Sequence, residues 1–256
     1  MSNPLPGLRG TSIQALQGFT KSVCFKTTVN TFMGGQEQRH PNTPPLYRLQ
    51  MPFNSLNETD RAAYISLFAA TKGRFAQNIT LTLGGTTYSN LALEQDTIAF
   101  VTPSARLYNT QIALRQVQNG TWTPPTPLTS FPNLSAGVVA QYPFQDEDVY
   151  LTNSNDNENG PRYASAFYAA GAGANFPSAK LKRWKITYAV LTNADQATVE
   201  NAFLGWMGRN ISFSFTSPVD STTYTHVRCD QDQLDFHSIG PGQWSAEMML
   251  RQTNGS

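Results

Sequence analysis

The chain has 256 residues, of which 39% are hydrophobic and 14% are charged, and its formal net charge is +1. This length and composition suit one large or two ordinary globular domains and exclude an extended disordered chain. The near-neutral charge argues against a protein that holds nucleic acid through a strongly basic face. No apolar run reaches the roughly 18 residues of a membrane span, and the N-terminus lacks the blocks of a signal peptide, so we expect folding in a cytoplasm.

The chain contains an internal repeat. Residues 86–100, TTYSNLALEQDTIAF, and residues 222–236, TTYTHVRCDQDQLDF, are identical at six of fifteen positions. Residues 46–74 align without a gap with a segment 135 positions later, which pairs Arg48 with Arg183. Repetition over this length predicts two modules of about 120 residues each.

The first predicted module covers residues 19–118, after an N-terminal arm of residues 1–18. Alternation predicts a strand around Met51, and a helix is predicted at about 57–72, where Asn57 caps the first turn and Gly73 ends the helix in a left-handed conformation. Two further strands follow the helix. The apolar residues in these patterns are Leu49, Met51 and Phe53; Tyr64, Ile65, Leu67 and Phe68 in the helix; Ile79, Leu81 and Leu83; and Tyr108, Ile112 and Leu114.

The second predicted module covers residues 141–256 and repeats this order, with a helix at about 193–207. A Pro-rich linker, residues 119–140, separates the modules, because prolines favour an extended path without ladder hydrogen bonds. The matching apolar residues are Trp184, Ile186, Tyr188 and Val190; Val199, Ala202, Phe203 and Trp206 in the helix; Ile211, Phe213 and Phe215; and Trp244, Ala246, Met248 and Leu250. The predicted fold is mainly β, with two tandem β-sandwich modules that each pack one helix.

Nothing in the sequence points to catalysis or metal binding. No motif marks a nucleophile, and the histidines do not recur between the modules. These histidines are His40, His226 and His237. Four residues imitate the start of a calcium-binding loop, but Ala166 stands where that loop requires a bidentate Glu. They are Asn155, Asn157, Asn159 and Gly160. We therefore expect no enzyme activity, no cofactor and no bound metal.

Charged residues are expected to have structural roles. In AKLKRWK, residues 179–185, strand alternation places Arg183 and Lys185 on one side and Lys182 and Trp184 on the other. This favours a solvated or contact-making strand face over a nucleic-acid site. The acidic residues at 146–148 are predicted to form a solvated turn.

Two repeated aspartates and two cysteines also allow structural predictions. Asp96 and Asp232 occur once per module, which favours turn or interface roles over a glycosidase pair. Each follows a glutamine, Gln95 or Gln231. Cys24 and Cys229 are expected to stay reduced, and Cys229 aligns with Leu93, which predicts a small buried hydrophobe.

The ordered series of motifs resembles the distal tail and minor tail-tip proteins of long-tailed bacteriophages. In the first module it comprises GGQEQRHP (residues 34–41), the alternating strand, the capped helix ending in KGR, a Tyr-containing strand and a closing IALRQV. The second module is similar through QYPF (residues 141–144), RWKITYAVL and WSAEMMLRQ, but it has AAGAGANF where the first has GGQEQR. The resemblance covers roughly residues 19–117 and 141–252.

This resemblance implies a non-enzymatic virion component at the tail tip, produced in the host cytoplasm. Proteins of this family have a β-sandwich with a helix, related to the tail-tube fold, and form baseplate rings that join the sixfold tail tube to the threefold hub. Two modules per chain suit a homotrimer with a pseudo-sixfold ring, or a hexamer with twelve modules. The expected partners are the tail tube protein and tail hub proteins.

Two other functions remain open at the level of sequence. A tandem β-sandwich that binds carbohydrate or a receptor would use an exposed Trp122, Trp184 or Trp244 as a platform, although Trp184 and Trp244 align with Leu49 and Tyr108, which favours a core role. Trp122 is therefore the tryptophan to test for sugar binding. A hydrolase acting on the cell wall has the weakest support, because no paired acids or metal ligands are apparent. The sequence also leaves open whether the strands before each helix pair within the chain or continue into another subunit.

Overall fold

The structure is a computed structural model of the chain. It describes residues 3–4, 18–31, 37–75, 78–83, 86–117, 122–134, 140–141, 149–150, 180–217 and 221–253. These residues form a mainly β structure with two α-helices and one large, mostly antiparallel sheet. The predicted mainly β class is confirmed. We refer to residues 3–117 as the first half and to residues 140–253 as the second half.

Among the described residues, strands dominate both halves, and each half carries one α-helix. The first half contains β1 (Asn3–Pro4), β2 (Thr20–Thr31), β3 (Glu37–Leu56), α1 (Glu58–Thr71), a 3₁₀ turn (Gly73–Phe75), β4 (Ile79–Leu83), β5 (Thr86–Leu93), β6 (Val101–Ser104) and β7 (Leu107–Gln116). The second half contains β8 (Ala140–Gln141), β9 (Val149–Tyr150), β10 (Lys180–Leu181), β11 (Arg183–Thr192), α2 (Asn193–Gly205), β12 (Phe213–Thr216), β13 (Thr223–Cys229), β14 (Gln233–Gly240) and β15 (Gln243–Gln252).

The main sheet runs from one half into the other. Its strands are hydrogen-bonded in the order β1, β4, β5, β7, β3, β2, β14, β15, β11 and β8, while β6 joins β7, and β13 joins both β12 and β15. The step from β2 to β14 is the link between the halves, and it is antiparallel. The buried apolar side chains of both halves accordingly form one cluster.

Strand pairing recurs between the halves in the same register. A β-bulge also interrupts the β3–β7 and β11–β15 ladders at corresponding positions. Leu91 opposite Gln116 matches Val227 opposite Gln252; Arg48 opposite Arg115 matches Arg183 opposite Arg251; and Val101 opposite Asn109 matches His237 opposite Ser245. The recurrence extends from amino-acid identity to backbone pairing.

The repeated glutamines show why part of the sequence recurs. The Gln95 amide donates to the Gln111 carbonyl (3.0 Å) and accepts from the Ala113 N–H (3.4 Å). Gln231 makes the same two contacts with Glu247 (3.1 Å) and Met249 (3.1 Å). Each side chain thus satisfies an N–H and a C=O group of the closing strand of its half.

The N-terminal arm and the linker also occupy corresponding places. Pro4 of β1 pairs in parallel with Thr80 of β4, and Ser130 of the linker pairs in parallel with Ser214 of β12. The described part of the linker is fixed further, because the Trp206 indole N–H donates to the Leu128 carbonyl at 2.8 Å. The Pro-rich composition therefore specifies an extended strand-like path along the second half.

Two details of the predicted strand pattern are wrong. Ile79 corresponds to Phe213 rather than to Ile211, since Ile79 lies opposite Leu91 and Phe213 lies opposite Val227. Val190 is exposed, because the bulge between Tyr188 and Leu191 shifts the alternation and turns the next residue, Leu191, into the core.

Both predicted helices are present and are capped as expected. Asn57 accepts a hydrogen bond from the Asp60 N–H at 2.9 Å, and Thr192 accepts one from the Asp195 N–H at 3.2 Å. The predicted inward residues are buried in α2, whereas Ile65 of α1 was predicted to face the core and is instead exposed. The predicted core-facing side of α2 is therefore fully buried, whereas that of α1 is partly exposed at Ile65.

Gly208 lies in the left-handed region after α2, with φ +61°, and Gly73 lies there after α1, with φ +62°. A Cβ added to Gly208 would lie 3.2 Å from both the Phe25 ring and the Asp232 carboxylate. A close approach of this kind, together with positive φ, requires glycine.

We expect Gly208→Ala to lower the free energy of unfolding by about 1–2 kcal/mol, because a left-handed backbone penalises a Cβ. Chemical denaturation of the wild type, Gly208→Ala and Gly73→Ala measures this cost. Gly73→Ala is the matched control for the backbone term, since a Cβ there would approach Asp96 at 3.0 Å but no aromatic ring. Unchanged midpoints in both variants would contradict the left-handed assignment.

Candidate functional site at the junction of the two halves

The two halves are joined by the addition of one strand to a sheet edge. β2 runs antiparallel to β14, with Cys24 opposite Gln233 at one end and Thr20 opposite His237 at the other. The Thr20 hydroxyl and His237 Nδ1 are 3.0 Å apart. Strand addition of this type satisfies the backbone groups of an otherwise open edge and buries alternate side chains.

Asp232 fixes the end of this ladder. Its backbone carbonyl accepts from the Phe25 N–H at 2.7 Å, and its carboxylate accepts from the Thr27 N–H at 3.0 Å. Of the two roles predicted for Asp232, turn or interface, these contacts with β2 fit the second. Asp96, its counterpart, accepts from the Arg74 N–H at 3.2 Å within the first half.

Apolar side chains from both halves and from the linker meet beside Asp232. The Phe25 ring lies 5.7 Å from the Phe203 ring of α2 and 6.0 Å from the Trp122 ring of the linker, between ring centroids. On the next strand, the Arg39 guanidinium donates to the Arg209 carbonyl at 2.8 Å. The junction therefore combines backbone pairing, aromatic packing and a charged donor to backbone oxygen.

A buried ion pair lies on the other side of the junction. Lys21 of β2 and Glu200 of α2 are 2.5 Å apart, and each side chain is only 10% exposed. The Gln196 amide donates to the same Glu200 carboxylate at 2.7 Å, and Tyr47 also hydrogen-bonds to it. These residues border a cleft of about 500 Å³. Because a buried charge without its partner is costly, the pair specifies which helix face β2 can cover.

Burial raises the pKa of the Tyr47 hydroxyl above its ordinary value, and the negative charge of Glu200 adds to this effect. Tyr88, on the same cleft, has a raised pKa for the same two reasons. Both hydroxyls are therefore protonated at neutral pH and act as hydrogen-bonding groups.

A second charged cluster organises the surface of the second half. The Asp230 carboxylate lies 2.7 Å from Arg183, 3.3 Å from Arg209 and 3.9 Å from Arg251. In the first half, Arg48 pairs with Glu94 at 2.7 Å in the corresponding place. Arg183 and Lys185, on either side of Trp184, thus pair with acids of their own chain and stay partly solvated, as predicted for a solvated or contact-making strand face.

The remaining sequence candidates lie in separate places. His40 on β3 lies opposite Thr28 of β2, whereas His237 lies opposite Thr20, and His226 is on β13. The candidate calcium loop at 155–166 and the acidic turn at 146–148 lie outside the described residues. Among the described residues, no group of three or more His, Cys, Asp or Glu side chains is placed to hold a metal ion. Neither described helix has the length and apolarity that a membrane crossing requires.

The predicted burial of two tryptophans and one cysteine is confirmed. Trp184 and Trp244 are buried, and Cys229 is a buried free thiol, as predicted. Trp122 is partly buried against the core. Lys21 and Glu200 were missed, because a single Lys and a single Glu far apart in sequence carry no local signal. Glu200 aligns with Ile65 in the first half. Comparison of the two halves therefore gives no sign of a charged residue at this position.

No model of a protein family matches this chain, and no curated protein matches it either.

We expect Lys21→Met to lower the free energy of unfolding by about 3 kcal/mol, because Glu200 is then left buried without its counter-charge. The double variant with Glu200→Leu should recover much of this loss. A double-mutant cycle by denaturant unfolding measures the coupling. Glu247→Gln is the control, since the exposed Lys185–Glu247 pair should contribute under about 1 kcal/mol. Purely additive losses in the cycle would contradict a coupled pair.

We also expect stability to fall as pH rises above about 10, where tyrosines ionise in the unfolded chain while the partly buried Tyr47 stays protonated. The raised pKa of Tyr47 thus stabilises the fold below that pH and loses its contribution above it. Tyr47→Phe should flatten the decline by up to about 1.4 kcal/mol per pH unit. Urea unfolding at pH 8 and pH 11 tests this, and parallel declines in the two proteins would argue against it.

Proposed function

We propose that this protein is a structural, non-enzymatic component of a phage tail tip, in a distal tail or upper baseplate ring that connects the tail tube to the hub. The motif series over residues 19–117 and 141–252 supports this, through its resemblance to distal tail and minor tail-tip proteins. The observation that carries the proposal is the addition of β2 of the first half to β14 of the second half. A ring requires repeated contacts of this head-to-tail kind between similar units.

The two halves are, in this proposal, tandem β-sandwich modules at residues 19–118 and 141–256, related to the tail-tube fold. The matching register of their ladders and the matching Gln95 and Gln231 bridges support a common architecture. The junction then represents one module-to-module contact of a ring. Three chains would supply six modules for a sixfold tube, and six chains would supply twelve.

The carbohydrate- or receptor-binding alternative receives no specific support from the tryptophans. Trp184 and Trp244 are buried, and Trp122 packs edge-on against Phe25. A sugar platform needs an exposed ring face, which the two buried residues do not provide. Trp122 also packs against Phe25 at the junction, so its replacement would affect the stability of the fold.

We expect the purified protein to form trimers or hexamers, with a mass that rises with concentration if the ring is weak. Light scattering after size exclusion over a concentration series measures this. Electron microscopy of the protein mixed with tail tube and hub proteins then tests its place in the tail. A strict monomer at every concentration, and also with these partners, would contradict the ring proposal, and binding to a glycan array would favour the alternative.

A further inference from the structure

Arginines and acids recur at matching positions in the two halves. The matching pairs are Arg48 and Arg183, Arg74 and Arg209, Glu94 and Asp230, and Asp96 and Asp232. The strand register supports this correspondence, because the β3–β7 and β11–β15 ladders pair in the same way. The two halves therefore carry the same four charges in the same order along the chain.

In the first half each arginine of this set has a carboxylate of its own. Nε of Arg48 lies 2.7 Å from Glu94, and Nε of Arg74 lies 3.4 Å from Asp96. The hydrogen bond to Glu94 raises the pKa of Arg48, and the charges of Glu94 and Asp235 add to this effect. The first half thus supplies at least one carboxylate for each of these two guanidinium groups.

In the second half two arginines share one carboxylate. Arg183 lies 2.7 Å from one oxygen of Asp230, and Arg209 lies 3.3 Å from the other. A third guanidinium, that of Arg251, lies 3.9 Å from the same carboxylate. We call Arg183, Arg209 and Arg251 the arginine cluster. Because Asp230 carries a single negative charge, Arg183 and Arg209 together keep one positive charge in excess.

The position of Asp232 explains this excess. Its counterpart in the first half pairs with an arginine, whereas Asp232 accepts a hydrogen bond from the Thr27 N–H of β2 at 3.0 Å. The carboxylate that matches the partner of Arg74 is thus used to hold the junction between the halves. Arg209 pairs with Asp230 instead.

Arg183 and Arg209 retain donors for further oxygen atoms. Each guanidinium donates to Asp230 through one Nη atom, and its Nε is buried without a hydrogen-bond partner among the described residues. The side chains are nevertheless 35% and 29% exposed, so part of each one reaches solvent. A guanidinium has five N–H donors in a planar fork that matches the two oxygens of a carboxylate. The arrangement therefore has the capacity to bind one more carboxylate.

The backbone around the arginine cluster is held in place. The Asp230 N–H donates to the Met249 carbonyl at 2.8 Å, and Arg183 lies within the β11–β15 ladder. Arg209 follows the left-handed Gly208 after α2. Donors on fixed strands and turns lose less entropy on binding than donors on mobile segments. The cluster is thus preorganised for a charged group.

We propose that the arginine cluster binds a carboxylate from an acidic segment of a partner polypeptide, with Arg183 and Arg209 as the principal donors. The first half supports the choice of a carboxylate, since one occupies the place beside both Arg48 and Arg74. Clustered arginines are a recurrent means of recognising acidic motifs in peptides. The site does not depend on the proposed function in a tail tip, because it follows from the charges within one chain.

Fluorescence anisotropy tests the site with a labelled peptide of alternating Asp and Gly, titrated with the full chain at low ionic strength. We expect saturable binding that Arg183→Gln or Arg209→Gln weakens about tenfold, because each removes a charge-assisted contact. Arg48→Gln is the matched control and should change the affinity less than about twofold, since Arg48 already has Glu94 as its partner. The corresponding peptide of Asn and Gly is the uncharged control.

Each outcome of the titration supports or overturns the proposal. Binding that is weakened in the two second-half variants and retained in Arg48→Gln supports the arginine cluster as the site. Equal affinities of all three variants, or equal binding of the Asn peptide, overturn it. Displacement by inorganic phosphate as effective as displacement by unlabelled Asp peptide, at matched concentration and ionic strength, also overturns it, because the cluster then selects any oxyanion.

A measurement on the wild type guards against loss of folding in the variants. In heteronuclear NMR spectra, the Nε–H resonances of Arg183 and Arg209 should shift saturably when the Asp peptide is added. The Nε–H resonance of Arg48 should stay in place, since Glu94 already accepts from it. Shifts confined to Arg48, or unshifted arginines at a peptide concentration that saturates the anisotropy, would contradict the proposal.

Discussion

The ladder between β2 and β14 is the contact on which the arrangement of the two halves depends. Backbone N–H and C=O groups at a sheet edge must find partners, and here the edge of one half is satisfied by a strand of the other. The Lys21–Glu200 pair lies under this ladder and makes its position specific, because a misplaced strand would leave a buried charge unpaired. Backbone pairing thus supplies the connection, and the ion pair selects the partner.

The two halves contain the same residue types at matching positions, but the surroundings of these residues differ. Gln95 and Gln231 bridge their closing strands alike, since these contacts stay within one half. Asp96 and Asp232 differ in their partners, because only Asp232 has a strand across it. A recurring residue can therefore hold a neighbouring strand in one half and stay exposed in the other.

Much of the secondary structure was predictable because its signals are local. Asn57 and Thr192 cap helices within one turn, and Leu49, Met51 and Phe53 alternate over three consecutive strand positions. Prediction failed at Val190 because a single bulge residue reverses the alternation beyond it, and a bulge leaves little mark in sequence. The prediction for Ile65 is wrong for another reason. Helical spacing places Ile65 near the core-facing side, but among the described residues it is 41% exposed, whereas its counterpart Glu200 is buried against Lys21.

The sequence by itself determined the mainly β class, the two capped helices, the buried tryptophans and cysteine, and the recurrence of one motif series. Only the tertiary structure decided that β2 pairs with β14 and that Lys21 meets Glu200. The physical reason is that strand pairing uses backbone groups common to all residues. Caps and alternation depend on neighbours in the chain, whereas the partner of a sheet edge is chosen by the packing around it.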